Sequence, residues 1–358
     1  MTKWLLYGAN GYTGELIARE ARERGLEPVL AGRNLAAVKP LAEDLGLEYR
    51  IFDLRDADAR LSGIEVVLHC AGPFSVTAAP MIDACVRTRT HYLDITGEMD
   101  VFAYAREIDG LARAAGVVVC PGVGFDVIPT DCLAVALHQA MPEATGLRLG
   151  FDLPLALSPG TVKTVLDGMA AGGRARIDGR ITVTPLGGRT DRIDFGKGTR
   201  PALAFPAADL HSAHHSTSIP NIEVYLPLPS PLILGTRISR RLAGLLARPG
   251  VRAAAHKLID KTVKGPDANE RATGTAHVWG ETTDAAGRWA TARITTANPY
   301  RLTIDGALTA VTDLLAAPDP RPGAHTPATL FGADLITRLS GSGPLTITTP
   351  DTTEGTSR

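Results

Sequence analysis

Gly8-Ala9-Asn10-Gly11-Tyr12-Thr13-Gly14 spaces its glycines as GxxGxxG, directly after the apolar run Trp4 to Tyr7 and directly before a helical pattern. Glycines so placed suit the binding of a dinucleotide pyrophosphate. Gly8 lets the chain turn sharply, Gly11 lets backbone N–H groups approach the pyrophosphate without a Cβ in the way, and Gly14 lets helix and strand pack closely. The anion then rests at the positive end of the helix. Asn10, Tyr12 and Thr13 complete the cofactor-binding loop.

The second strand run ends at Ala31-Gly32-Arg33-Asn34, where an NAD enzyme carries an acid for the ribose 2′-hydroxyl. A guanidinium at Arg33 offers bidentate hydrogen bonds to a 2′-phosphate that a carboxylate would repel, so Arg33, with Asn34 beside it, points to NADP(H). The plainer reading is a solvated surface arginine. Asp53, after the third strand run, accepts from the adenine amino group or caps the turn that follows. After the fourth strand, the small residues Ala71, Gly72 and Pro73 of Cys70-Ala71-Gly72-Pro73-Phe74 leave space for the nicotinamide ribose.

A nicotinamide reductase also needs a group that protonates the atom opposite the hydride. In His91-Tyr92-Leu93-Asp94-Ile95-Thr96-Gly97-Glu98, Tyr92 is the best neutral proton donor, and strand alternation puts Asp94 on the same face. The alternative is that Asp94 or Thr96 caps the next helix. Asp126 and Asp131, in and after Gly122-Val123-Gly124-Phe125-Asp126, are further ionisable candidates that bind an amino or imine group or cap the helix near Pro129. The catalytic candidates are therefore Tyr92, Asp94 and Asp126. His211, His214 and His215 converge only if their segment is helical. Pro206, Pro220 and several serines argue for a loop, so no metal is expected. Lys163 is a cationic partner for a phosphate or carboxylate, or simply a solvated lysine.

These residues need a scaffold. Up to about residue 130, strand runs near Trp4 to Tyr7, Pro28 to Ala31, Tyr49 to Phe52, Val66 to Cys70, Tyr92 to Ile95 and Val117 to Cys120 alternate with helical patterns beginning near Thr13, Leu35, Thr77 and Met99. That order predicts an α/β fold, a doubly wound Rossmann sheet of parallel strands. Beyond it, runs at Leu147 to Leu153, Ile181 to Thr184, Ile222 to Leu226, Gly274 to Glu281 and Trp289 to Thr296 predict a second, α+β domain with a mainly antiparallel sheet, including a hairpin turn at Asp284 to Gly287. A helix is expected after Pro159-Gly160. Leu226 to Leu234 is apolar but broken by proline, a loop over a cleft or a buried connection. The expected division is 1–130 for the Rossmann domain, 131–325 for the substrate domain, 326–342 for a carboxyl-terminal helix returning to the first domain, and 343–358 for a mobile tail.

Charge is balanced, with 37 basic and 38 acidic residues and a formal net charge of −1. No single-sign run marks a nucleic-acid or anionic-lipid surface. Cys70, Cys85, Cys120 and Cys132 form no CxxC pair and read as buried free thiols. No segment has the length of a membrane span and the amino terminus lacks signal-peptide regions, so a cytoplasmic location is expected.

Together, GANGYTG at 8–14, AGR at 31–33, CAGPF at 70–74, HYLDITGE at 91–98 and PGVGFDVIPTD at 121–131 resemble the saccharopine dehydrogenase-like oxidoreductases, closest to their trans-acting enoyl reductase branch. The likeness continues more weakly through Pro159-Gly160-Thr161, Gly265-Pro266 to Arg271 and Thr326-Pro327-Ala328. It implies an NADP-binding Rossmann domain, a second domain carrying the substrate pocket, and a carboxyl-terminal helix that returns to the first. Three functions follow: an NADP(H)-dependent reductase of a C=C bond in an acyl or related apolar substrate, a saccharopine-type C=N or C–N oxidoreductase on an amino-acid-like substrate, or a non-catalytic NADP-binding sensor. A small-molecule or acyl substrate is the expected partner, with a homodimer and an acyl-carrier protein as further expectations.

Overall fold

The structure is a computed structural model that describes residues 3–153, 160, 162–163, 172–185, 187–230, 232–233, 249–263 and 267–350. The chain forms two compact units, Met1–Ile128 with Tyr300–Leu339, and Pro129–Pro299 with Ser340–Arg358.

In the first unit, strands β1 (Trp4–Tyr7), β2 (Val29–Gly32), β3 (Tyr49–Ile51), β4 (Val66–His69), β5 (His91–Asp94) and β6 (Val118–Cys120) alternate with helices α1 (Tyr12–Glu23), α2 (Leu35–Leu45), α3 (Ala57–Arg60), α4 (Phe74–Thr88), α5 (Met99–Glu107) and α6 (Asp109–Ala115). The strands pair in parallel in the order β6-β5-β4-β1-β2-β3. Continuous apolar runs such as Trp-Leu-Leu-Tyr suit strands covered on both faces, and all four residues of β1 are buried. Side-chain alternation sends Leu5, Tyr7, Val67, Tyr92 and Val119 into one core layer and Leu6, Leu30, Leu68, Leu93 and Val118 into the other. The strand order reverses at β1, which pairs with β2 on one side and β4 on the other. A crevice outside the carboxyl ends of the strands forms at such a switch point, and it is here that the glycine loop sits.

The second unit opens with α7 (Ile128–Ala140), which begins at the last residue of the first. It then builds β7 (Gly146–Asp152), β8 (Gly173–Ile177), β9 (Arg180–Thr184), β10 (Thr190–Asp194), β11 (Thr199–Ala204), α8 (Asp209–Thr217), β12 (Asn221–Pro227), α9 (Pro249–Thr262), α10 (Ala268–Thr273), β13 (Thr275–Thr283) and β14 (Trp289–Ala297). Its sheet runs β10-β11-β12-β7-β13-β14, with β8 joining β12 to β9. All its pairings are antiparallel except β12 with β7. The hairpin at Asp284 forms as expected: its carboxylate accepts from the Ala286 and Arg288 amides, each at 2.9 Å. The sequence pattern missed β8, β10 and β11: GRARI and TDRID carry too few apolar side chains to alternate visibly, and a proline interrupts TRPALA.

After β14 the chain returns to the first unit as α11 (Pro299–Ala316), β15 (Gly323–Ala324), α12 (Pro327–Phe331) and α13 (Leu335–Arg338). β15 pairs with the β6 edge in parallel. The return thus begins at Tyr300 rather than at 326, because α11 buries Ala307, Leu308, Ala310, Val311 and Leu314 in the core layer that holds Leu6. The tail also differs from expectation at its start: β16 (Thr346–Thr348) pairs with β14, while 351–358 lie outside the described residues. The histidine cluster corrects another expectation. His211, His214 and His215 lie on a helix, α8, not a loop; Pro206 and Pro220 only bound it. Among the described residues no group of His, Cys, Asp or Glu is arranged to hold a metal. None of their helices is long and apolar enough to cross a membrane. All four cysteines are free thiols, three of them buried and Cys70 partly so. Most of the helix expected after Gly160, with Pro159, Thr161, Gly265, Pro266, Pro231 and Leu234, lies outside the described residues.

Candidate functional site

The three glycines of the loop differ in what the fold demands of them. Gly8 has φ +85°, and a Cβ there would lie 2.7 Å from the Ala71 amide nitrogen, so the ends of β1 and β4 abut. A Cβ at Gly14 would lie 2.2 Å from the Gly8 carbonyl oxygen, an overlap that no side chain survives. At Gly11, in contrast, φ is −77° and a Cβ would meet only the Gly8 oxygen, at 3.3 Å. Folding therefore needs Gly8 and Gly14, whereas Gly11 keeps the outer side of the turn bare. While α2 is capped by Asn34, the N-cap of α1 is Gly11, which has no side chain to cap it. Its first-turn amides suit an anion. Asn10 is exposed, Thr13 is half-buried, and the Tyr12 ring packs edge-on against Tyr300, centroids 5.4 Å apart.

At the end of β2, a Cβ on Gly32 would sit 3.0 Å from Asn10 Oδ1 and from a Val38 methyl, which brings the glycine loop and α2 close together. Arg33 is exposed. Asn34 caps α2, its side chain accepting from the Ala36 amide at 3.0 Å. Asp53 caps the turn that follows β3: its carboxylate accepts from the Arg55 amide at 3.2 Å and pairs with the Arg55 guanidinium at 3.1 Å. Those hydrogen bonds hold it below the usual carboxylate range. Arg33, Asn34, Leu35, Ala36, Lys39, Pro40 and Glu43 line an open concavity of about 970 Å³. Lys39 escaped the motif search; its signal was one turn of helix, which sets Leu35, Lys39 and Glu43 along one face.

The ends of β4, β5 and β6 are tied by hydrogen bonds. Tyr92 is fully buried and its hydroxyl donates to Asp94 Oδ2 at 2.7 Å, while Asp94 Oδ1 accepts from the Thr96 amide at 2.9 Å and the Gly122 amide at 2.8 Å. Burial pushes the Asp94 carboxyl up to about 6 despite those donors, and pushes the Tyr92 phenol well above its usual value. The Glu98 amide donates to Thr96 Oγ1 at 3.0 Å. The Glu98 carboxylate in turn accepts from the Phe74 and Ser75 amides at 2.8 and 2.7 Å, filling the N-terminus of α4. Sequence reasoning missed Glu98 because its partners lie over twenty residues away.

Ala71 is half-buried, whereas Gly72 and Pro73, joined by a cis peptide, are exposed. A Cβ on Gly72 would meet nothing closer than 3.8 Å, so the surface beside it is open. Beneath it, Thr77 Oγ1 donates to the Ala71 carbonyl at 2.6 Å and contacts His69 Nε2 at 3.0 Å. Complete burial pushes His69 down to about 3, leaving a neutral ring. Asp126 keeps exposed surface, although crowding by protein pushes its carboxyl up to about 6. Its exposure limits what that shift contributes to stability, because solvent screens a surface carboxyl. Asp131, on α7, is fully buried and accepts from Ser216 Oγ at 2.5 Å. The structure thus brings Tyr92 and Asp94 together inside the protein and leaves Asp126 as the catalytic candidate that reaches the surface.

Residues 4–120 match the family described as the saccharopine dehydrogenase NADP binding domain. That match lies wholly within the first unit. Among curated relatives, the trans-acting enoyl reductase of Mycobacterium leprae is 31% identical over 163 residues, 42% of this chain and 39% of the relative. That of Mycobacterium bovis is 28% identical over 210 residues, 52% of this chain and 49% of the relative. The matched stretches span half or less of those proteins. Among solved structures, saccharopine dehydrogenase (L-Glu forming) from Saccharomyces cerevisiae superposes with a TM-score of 0.65 and 13% identity, covering 98% of this chain and 100% of that one. At that identity the likeness is one of fold. The bare Gly11 at the start of α1 and the exposed Arg33 are the features of the first unit that fit a phosphorylated dinucleotide.

Proposed function

We propose that the protein is an NADP(H)-dependent reductase of a C=C bond in an acyl or related apolar substrate. One observation carries the choice of substrate. The segments at the ends of β4, β5 and β6, residues 70–76, 94–99 and 121–126, contain no Arg or Lys, so the domain's own strand ends offer no cation for an amino-acid carboxylate. Phe74 and the 68% exposed Val76 instead put apolar surface there. Relatives named trans-acting enoyl reductase support the same reading.

In this reading the α1 amides and Gly11 receive the pyrophosphate, Arg33 the 2′-phosphate, and Ala71, Gly72 and Pro73 border the nicotinamide ribose. When bound, NADPH would be the source of the hydride for one carbon of the double bond. Asp126 delivers the proton to the other carbon and is reprotonated by solvent, a task suited to a carboxyl raised to about 6. Tyr92, Asp94 and Glu98 hold the strand ends in place. The exposed carboxylate of Asp126 also favours a second reading, in which it pairs with the nitrogen of a C=N substrate.

The test is NADPH oxidation followed against enoyl thioesters and imines, after titration with NADPH and NADH. Turnover of enoyl thioesters supports the proposal and turnover confined to imines favours the second reading. Tight NADPH binding with no turnover of either set points to a sensor.

A further inference from the structure

We infer that Lys39 is a specificity-determining residue that closes on the 2′-phosphate together with Arg33, an inference that rests on the NADP(H) reading above. Arg33 makes no hydrogen bond or ion pair among the described residues. It lines the same concavity as Lys39, one positive charge from the end of β2 and one from the second turn of α2. Two cations sharing one concavity repel each other, and a phosphate dianion between them relieves that repulsion while gaining charge-assisted hydrogen bonds.

The surrounding cations are otherwise engaged, which singles out Lys39. The Arg55 guanidinium is held by Asp53 at 3.1 Å, and the Arg50 guanidinium donates to the carbonyls of Arg60 and Ser62. Asp53 lies near enough to Arg33 for their charges to interact, but its carboxylate is occupied by Arg55. Among the described residues Lys39 pairs only with Glu43, at 3.6 Å, with both side chains about half exposed or more, 47% and 63%. A solvent-exposed pair at that distance contributes little, so the ammonium can leave Glu43 for a dianion. Glu43 is then a competitor for the same cation. Asn34 supports the arrangement differently: by capping α2 it fixes the helix that carries Lys39 relative to Arg33.

The experiment titrates the full chain with NADPH and with NADH, for the wild type, Lys39→Ala, Lys39→Arg, Arg33→Ala and Glu43→Gln. Lys39→Ala is expected to weaken NADPH about tenfold while NADH stays within about twofold, the loss of one charge-assisted contact to the phosphate. Lys39→Arg is expected to keep the preference and Glu43→Gln to tighten NADPH. Unchanged NADH affinity certifies that each variant is folded. If Lys39→Ala leaves the NADPH preference intact, or weakens both cofactors alike, the inference fails while the NADP(H) reading stands. If the wild type itself binds NADH as tightly as NADPH, the NADP(H) reading falls and the inference with it.

Discussion

Tyr92 Oη lies 2.7 Å from Asp94 Oδ2, and both residues are sealed from solvent. Two residues apart on a strand, they share a face by alternation, and the interior turns that adjacency into a bond. The tyrosine spends its proton on an interior carboxylate whose other oxygen ties the end of β5 to the Gly122 turn.

Asp94 makes the stability of the protein depend on pH. Its folded pKa, about 6, lies above the ~4 of an unfolded aspartate, so the folded state binds its proton more readily. The contribution is fully present below about pH 4 and is lost as pH rises through about 6. Denaturant midpoints of the wild type should therefore fall relative to Asp94→Asn across that window. Asparagine can still accept from Thr96 and Gly122 through Oδ1, so it should fold; Asp94→Ala, which strands three donors, should cost about 3 kcal/mol. Parallel pH profiles for wild type and Asp94→Asn would contradict this account.

Glu98→Ala removes the carboxylate from the start of α4 and should cost about 1 kcal/mol, as lost caps do. Glu98→Gln, which keeps one acceptor oxygen, should recover part of it. Equilibrium unfolding measures both.

The glycines separate folding from binding. Gly14→Ala forces a Cβ to 2.2 Å from the Gly8 oxygen and should destabilise by about 3 kcal/mol or prevent folding. Gly11→Val should fold, yet weaken NADPH and NADH alike by filling the bare side of the turn. A Gly11→Val protein that binds both normally would remove Gly11 from the site.

On the proposed role of Arg33, Arg33→Glu sets a repelling carboxylate against the 2′-phosphate, so NADPH should weaken at least about tenfold more than NADH. Calorimetric titration with the two cofactors gives the ratio directly.

Asp126 predicts a kinetic limb. A proton donor with a pKa of about 6 is increasingly ionised above that pH, so kcat on an enoyl thioester should fall as pH rises through it. In Asp126→Asn the rate should be low throughout and this limb absent. If the limb persists in the variant, another group supplies the proton.

Much of the first unit was legible in the sequence because its signals are local. Strand runs, the GxxGxxG turn and the arginine after β2 depend on residues within one strand-turn-helix, where backbone sterics and periodicity decide the outcome. The residues that depended on tertiary structure answer to distant neighbours. Glu98 caps a helix that begins 24 positions earlier, Lys39 lines the same concavity as Arg33, and α11 belongs to the first unit because its apolar face completes a core layer begun by β1. Sequence by itself determined a dinucleotide fold with an arginine where an acid would select NAD. Which polar residues brace the strand ends and which stay exposed was decided by burial, since only the folded chain sets which donor meets which carboxylate and at what cost in water.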